Sequence, residues 1–331
     1  MPEPARRRVA ILATGGTIAG QPGTGGRGYR AGALGIDALA GAVPGLGALA
    51  DLRAEQVANV GSQAVTIPIW LRLAERIREL LAEGQADGIV VTHGTDTLEE
   101  TAYFLSLVLP WSRPIVLTGA MRPAGTPGAD GPANLLDAVA LAADPAAAGR
   151  GPLVVMNGAI HGARDVRKIS ASALCAFASP NRGPLGIVDR GQAFWHMPPS
   201  PAGGLAPQPG TLAHGLPRVD IVCAYADSPA DVVPWLVERG CRGIVLAGVG
   251  GGNAGDDLLA ALARAVRAGV AVVRASRCGS GRVARNVEID DDALGFIAAG
   301  DLTPQKARIL LALALLGGKT GPGLQRCFDH H

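Results

Sequence analysis

A short apolar run, a polar or glycine-rich turn and then an amphipathic stretch recur along this chain. The apolar runs fall at residues 9–13, 88–92, 114–118 and 153–157, and again at 219–225, 243–247 and 270–275. Each is continuous rather than alternating, the pattern of strands covered on both faces, as in a parallel sheet between helices. The helical stretches carry their own punctuation. Trp70, Leu73, Ala74, Ile77, Leu80 and Leu81 share one face at helical spacing, and Gly84 follows as a stop. Thr97-Leu98-Glu99-Glu100 has the form of a capping box, opening a helix that ends at Pro110. Thr303-Pro304 places a proline in the first turn of the last long helix, and Gly317-Gly318 closes it. The pattern predicts an α/β protein with two domains, each a largely parallel sheet flanked by helices.

One stretch breaks the rhythm. Residues 197–217 are rich in Pro and Gly and lack any period, and they read as a linker. That divides the chain into an N-terminal α/β domain at 1–196 and a smaller C-terminal α/β domain at 218–331. The length of 331 residues agrees with more than one compact domain. Composition then narrows the classes. Aromatics make up only 4%, so Val, Ile, Leu and Ala must fill the cores. A net charge of +2 gives no electrostatic case for a nucleic-acid or membrane-surface partner. No apolar run reaches the length of a membrane span. Arg6-Arg7-Arg8 before the run at 9–13 imitates the start of a signal peptide. That run is too short for one and enters Thr14-Gly15-Gly16-Thr17 directly, so it is read as a first buried strand. The 5 cysteines are odd in number and widely spaced, which is no disulfide framework. Cys223 and Cys278, in or beside strand-like runs, are expected to be buried. The 6 histidines are scattered and no Cys/His pairs stand at ligand spacing, so no metal site is expected.

In open parallel sheets, ligands bind beyond the carboxyl ends of the strands. Two hydroxyl-bearing turns fall there. In Thr92-His93-Gly94-Thr95-Asp96-Thr97, the Thr95 hydroxyl and the Asp96 carboxyl lie at a helix start. Orphan N–H groups and the helix dipole there favour negative charge, so the turn can hold a carboxylate or a developing oxyanion. Capping and turn chemistry alone would account for the same residue types, and Thr97 is assigned to capping. In the first turn, Gly15-Gly16 fits a plain tight turn or a phosphate cradle. It does not match G-x-G-x-x-G and lacks the Lys-Ser/Thr of a Walker A loop. Thr17 would become a nucleophile only beside a base.

At this point the chain resembles a known family. Ala13-Thr14-Gly15-Gly16-Thr17-Ile18-Ala19-Gly20 is similar to the first signature of the bacterial L-asparaginases and glutaminase-asparaginases, and the segment from Val91 through Thr101 to the second. Asn59-Val60-Gly61-Ser62-Gln63, Thr118-Gly119-Ala120-Met121-Arg122-Pro123 and Pro304-Gln305-Lys306-Ala307-Arg308 extend the likeness nearly end to end, closest to the type II branch.

The resemblance implies a cofactor-free amidohydrolase that converts L-asparagine to L-aspartate and ammonia through an acyl-enzyme. Thr17 would be the nucleophile, assisted by Tyr29 and Glu288, with Tyr29 on a glycine-rich lid at 20–32. Thr95, Asp96 and Lys168 would form a second polar group in which a desolvated Lys168 acts as base. Asp96 would bind the substrate α-amino group and Ser62 its α-carboxylate. Gln63, Asn253 and Glu288 would complete substrate binding, and the Thr95 N–H would face the oxyanion. The resemblance also implies a homotetramer in which Asn253 and Glu288 reach a neighbouring subunit's site. The chain departs from the family pattern in the glycine-rich segment at 21–30 with its Arg27, and at Gly251. The disulfide cysteines of some secreted relatives are absent, which favours the cytoplasm; a periplasmic or secreted location stands if a signal peptide was removed. Glutamine as main substrate is one alternative. A non-catalytic amino-acid-binding module is another.

Overall fold

The computed structural model describes residues 6–22, 29–30, 41, 43–199, 205 and 210–331, in two units, Met1–Ala206 and Pro207–His331. In the first unit the strands are β1 (Arg8–Gly15), β2 (Gln21–Pro22), β3 (Tyr29–Arg30), β4 (Asp51–Val60), β5 (Gly88–Thr92), β6 (Ile115–Thr118), β7 (Pro152–Met156), β8 (Ala159–Gly162), β9 (Arg167–Lys168), β10 (Phe177–Ala178), β11 (Gly186–Asp189) and β12 (Gln192–Trp195). Eight of them form one sheet in the order β12-β11-β8-β7-β6-β5-β1-β4. From β7 through β4 every pairing is parallel. Beyond β7 the sheet continues antiparallel through β8, β11 and β12.

Strands β5, β6 and β7 are buried along their whole length, and β1 from Val9 onward, as continuous apolar runs require. Strand β4 differs. It is an edge strand, its residues half-buried or exposed, and polar Asp51, Arg53 and Glu55 break up its apolar content. What holds it is the parallel register with β1, from Arg8 opposite Asp51 to Ala13 opposite Gln56. Arg76 adds a fork onto the Glu55 carboxylate at 2.7 and 2.9 Å.

The helices are α1 (Leu46–Leu49), α2 (Ile67–Ala82), α3 (Leu98–Val108) and α4 (Gly131–Ala143). Leu135, Ala138 and Val139 of α4 share one core with Ile11, Val90, Val116 and Val155 of the sheet. Trp70 of α2 stacks on Phe104 of α3, ring centroids 5.1 Å apart. Helix α2 buries Trp70, Leu73, Ala74, Ile77 and Leu80, and Gly84 beyond it takes φ 64°, a conformation that suits glycine. Thr97 corrects the capping-box expectation. It occupies the N-cap position of α3, but its hydroxyl donates to the Ser62 carbonyl at 2.8 Å and makes no cap bond. The turn after β4 lies alongside, and its carbonyl, a tertiary acceptor, receives the hydroxyl's hydrogen bond.

The second unit holds β13 (Val219–Cys223), β14 (Gly243–Gly248), β15 (Ala271–Ser276) and β16 (Phe296–Ala298), all parallel and in that order. Its helices are α5 (Val232–Glu238), α6 (Asp256–Arg267), α7 (Asp291–Leu294), α8 (Pro304–Leu316) and α9 (Gly321–His330). Val222, Ile244, Leu246, Leu258, Leu262 and Val272 centre one core. Thr303 caps α8 as its sequence suggests, its hydroxyl accepting the Lys306 N–H at 3.2 Å.

The cysteines depart from expectation: Cys223 and Cys278 are exposed, while Cys241 and Cys327 are buried. Cys223 ends an edge strand on the face that points outward with Ile221, and Cys278 lies past the end of β15. Of the stretch assigned to a linker, 200–204 and 206–209 lie outside the described residues. Among the described residues, no helix is long and apolar enough to cross a membrane, and no three His, Cys, Asp or Glu side chains group to hold a metal ion.

Candidate functional site

Strands β4, β1 and β5 are parallel neighbours, so the turns that follow them leave the same edge of the sheet. After β1 the chain passes through Gly15 and Gly16 at φ 102° and 82°. The backbone there leaves no room for side chains: a Cβ on Gly16 would lie 2.3 Å from both Cα and N of Gly94. The first threonine turn therefore rests directly on the second. A Cβ on Gly94 would in turn meet the Ser62 hydroxyl at 2.7 Å, so the turn after β4 closes on the same point. The Gly16 N–H donates to the Val60 carbonyl at 3.0 Å, and the Thr14 hydroxyl to the Thr92 carbonyl at 3.0 Å. Thr17 opens a single 3-10 turn, Thr17–Ala19, and is buried.

Around this junction the polar side chains are bonded to one another. The Ser62 hydroxyl accepts the Asp96 N–H at 3.0 Å. Lys168 Nζ lies 2.8 Å from the Thr95 hydroxyl and 2.7 Å from Asp96 Oδ1. Thr95 is buried, the Lys168 side chain is 17% exposed and that of Asp96 58% exposed, so the cluster opens to solvent on the carboxylate side. Lys168 is placed from both ends. Its backbone stands on β9, opposite Phe177 of β10, and its N–H donates to the Glu99 carboxylate at 2.5 Å. Glu99 is itself buried in the first turn of α3, where the helix dipole favours a negative charge.

Behind the second turn lies His93, fully buried. Burial holds its pKa down at about 4, against a smaller opposing pull from its bond to the Gly94 carbonyl. The ring is therefore neutral, and its bonds assign the tautomer. Nδ1, 2.6 Å from the Gly94 carbonyl oxygen, must donate. Nε2 then accepts from the Thr101 hydroxyl at 2.9 Å, and that hydroxyl accepts from the Trp70 indole N–H at 2.8 Å. This one-way relay from α2 through α3 fixes the Gly94 carbonyl. Sequence alone gives Glu99, His93, Thr101 and Trp70 no place in the site. Glu99 was hidden by the capping-box pattern, and Trp70 by its place in an apolar stripe.

The first unit thus brings the Thr17 turn together with Ser62, Thr95, Asp96 and Lys168. Gln63 is exposed beside them and folds back over Gly61. Tyr29 stands on β3, its backbone paired with Pro22, and its side chain lies outside the described residues. So does most of the segment assigned to a lid at 20–32, namely 23–28 and 31–32. In the second unit, Asn253 follows β14 and its side-chain amide donates to the Glu288 carboxylate. Chemically, a buried hydroxyl within proton-transfer distance of an amine, whose charge a carboxylate balances, is equipped for acid–base work at a helix start.

A family model described as "Asparaginase, N-terminal" matches residues 8–201, and one described as "Glutaminase/Asparaginase C-terminal domain" matches residues 218–328. The chain is 44% identical over 323 residues to a probable periplasmic L-asparaginase of Haemophilus influenzae, covering 97% of this chain and 92% of that protein. It is 43% identical over 325 residues to L-asparaginase 2 of Escherichia coli, covering 98% and 93%. The crystal structure of a probable cytoplasmic L-asparaginase from Campylobacter jejuni matches with a TM-score of 0.91 at 43% identity, covering 98% of this chain and 100% of that one.

Proposed function

The chain belongs to the asparaginase family, and from that premise we propose that it hydrolyses the side-chain amide of L-asparagine with Thr17 as nucleophile. The Thr17 oxygen attacks the amide carbon and gives up its proton. The tetrahedral intermediate expels ammonia, which carries a proton away, and leaves an ester to Thr17. Water then cleaves the ester, releasing L-aspartate and restoring the hydroxyl. Tyr29 and Glu288 assist the attack, and the Thr95 N–H steadies the oxyanion. Lys168 serves as base and proton carrier through Thr95. Asp96 balances its charge and takes the substrate α-amino group. Ser62, an acceptor toward the Asp96 N–H, keeps its own proton for the α-carboxylate. Gln63, Asn253 and Glu288 complete the binding set.

The observation that carries this reading is the Thr95–Lys168–Asp96 cluster at 2.7–2.8 Å, in the turn on which the Thr17 turn rests. Ammonia release from asparagine and glutamine, with Thr17→Ala and Thr95→Ala run beside the native protein, tests it. Turnover abolished by either change is the expected result; full turnover in Thr17→Ala would remove that residue as nucleophile. The second family model carries the glutaminase name as well, so glutamine is the alternative amide. Asparagine and glutamine differ by one methylene, worth only about 1–3 kcal/mol of discrimination, and the ratio of kcat/KM for the two amides decides between them.

The assembly we favour is a homotetramer in which a partner subunit supplies Asn253 and Glu288. Residues 1–196 form the N-terminal domain that carries the threonines, 197–217 the linker and 218–331 the C-terminal domain. The absence of the disulfide cysteines of some secreted relatives supports a cytoplasmic location.

A further inference from the structure

Arg274 on β15 is 1% exposed, among the largest fully buried side chains of the described residues. A guanidinium so placed must satisfy all five of its N–H donors. It does so, and each bond goes to a loop or to the start of a short helix. Nε and Nη2 grip the two Asp291 carboxylate oxygens at 2.6 and 2.7 Å, a pair with side chains 2% and 0% exposed. Nη1 donates to the carbonyls of Gly251 at 3.1 Å and Gly252 at 3.3 Å, and Nη2 to that of Ala284 at 3.2 Å. Asp291 also accepts the Asn286 N–H at 2.9 Å.

One side chain thereby ties together the loop after β14, which carries Asn253, and the loop that carries Glu288. The two loops need a fastener. Gly250, Gly252 and Asn286 sit at φ 49°, 86° and 53°, a region the backbone enters reluctantly outside glycine. Residues 284–288 are exposed throughout. The acidic run Asp290-Asp291-Asp292 reads in the sequence as a solvated face, yet its middle residue is sealed from solvent. A buried ion pair is a poor choice for stability alone, since apolar residues of similar volume commonly serve as well or better. Geometry is what it supplies.

We propose that Arg274 and Asp291 form a buried clamp that holds Asn253 and Glu288 in the arrangement the substrate requires. They are positioning residues and touch no reacting atom. The inference rests on the reading of Asn253 and Glu288 as substrate-binding groups.

The test is steady-state kinetics on asparagine with the full chain, beside melting curves, for Asn253→Ala, Glu288→Gln, Arg274→Lys, Asp291→Asn, the double variant Asn253→Ala/Glu288→Gln and the triple variant Arg274→Lys/Asn253→Ala/Glu288→Gln. Lysine keeps the charge but cannot span the carboxylate and three carbonyls. A displacement of about 1 Å away from the chemistry can cost about 100-fold. We therefore expect Arg274→Lys and Asp291→Asn to melt cooperatively and to lose about 10- to 100-fold in kcat/KM. With Asn253→Ala and Glu288→Gln both in place, adding Arg274→Lys should cost nothing further, because the clamp acts through the two residues already removed. Native kcat/KM in both clamp variants overturns the proposal. A further loss in the triple variant over Asn253→Ala/Glu288→Gln, or loss of cooperative melting in both Arg274→Lys and Asp291→Asn, reduces the pair to a structural role and overturns it too. Native kcat/KM in Asn253→Ala and Glu288→Gln instead removes the underlying reading, and the clamp's function with it.

Discussion

Among the ion pairs of the two units, two that bear on the proposed site stand at nearly the same distance, Lys168 to Asp96 at 2.7 Å in the first and Arg274 to Asp291 at 2.6 Å in the second. Their surroundings differ. The lysine pair is 17% and 58% exposed, and its ammonium also touches a hydroxyl. The arginine pair is 2% and 0% exposed, and its remaining donors end on backbone carbonyls. An amine at a partly wet site can give up and regain a proton, whereas a guanidinium cannot within any working pH range. The proposed function gives the first pair a proton to exchange, and the proposed clamp gives the second a single arrangement to keep.

The widest gap between them should open in activity. Lys168→Met is expected to lower kcat by about 100- to 10,000-fold, the usual worth of general acid–base catalysis. Its melting temperature should barely move, because partly exposed ion pairs contribute about 0–1 kcal/mol. A kcat within a few-fold of native would dissolve the contrast. Arg274→Met, besides its cost in activity, should show in a denaturant titration. It leaves Asp291 buried and unpaired, at a cost of about 3–5 kcal/mol, and adding Asp291→Leu should return most of it.

His93 sharpens the comparison, as a sealed group kept uncharged. Its folded pKa of about 4 lies below an unfolded value near 6.5, so the unfolded chain binds the proton first as pH falls. The stability it contributes is complete above about pH 6.5 and is lost progressively toward pH 4, about 2 kcal/mol of it by pH 5. His93→Gln should flatten the melting temperature between pH 6.5 and 5. An unchanged slope would mean that other groups set it.

What the sequence revealed follows the same division between local pattern and distant contact. Strands β1, β5, β6, β7, β14 and β15 were legible because burial on both faces leaves an unbroken apolar run. Strand β4 was not, since an edge strand with one wet face needs its neighbour to define it. The antiparallel β8, β11 and β12 are too short to show a period. The two threonine turns were found from their place at strand ends, but the roles given to Ser62, Lys168, Asn253 and Glu288 came from family resemblance. Glu99 and Asp291 escaped notice because an acid at a helix start or in an acidic run has an ordinary local explanation. Only the fold shows that Glu99 meets Lys168 and Asp291 meets Arg274.

The contact of Gly16 with Gly94 has a further consequence. Two peptide backbones meet there with nothing between them, so the gap between the threonine turns works as a ruler with no adjustable part. Side chains can change rotamer to admit a bulkier guest. Bond angles and peptide planes yield only slightly, at about 1 kcal/mol for a 7° bend. A guest one carbon longer would have to find its room elsewhere along the ruler's edge, because this mark does not move.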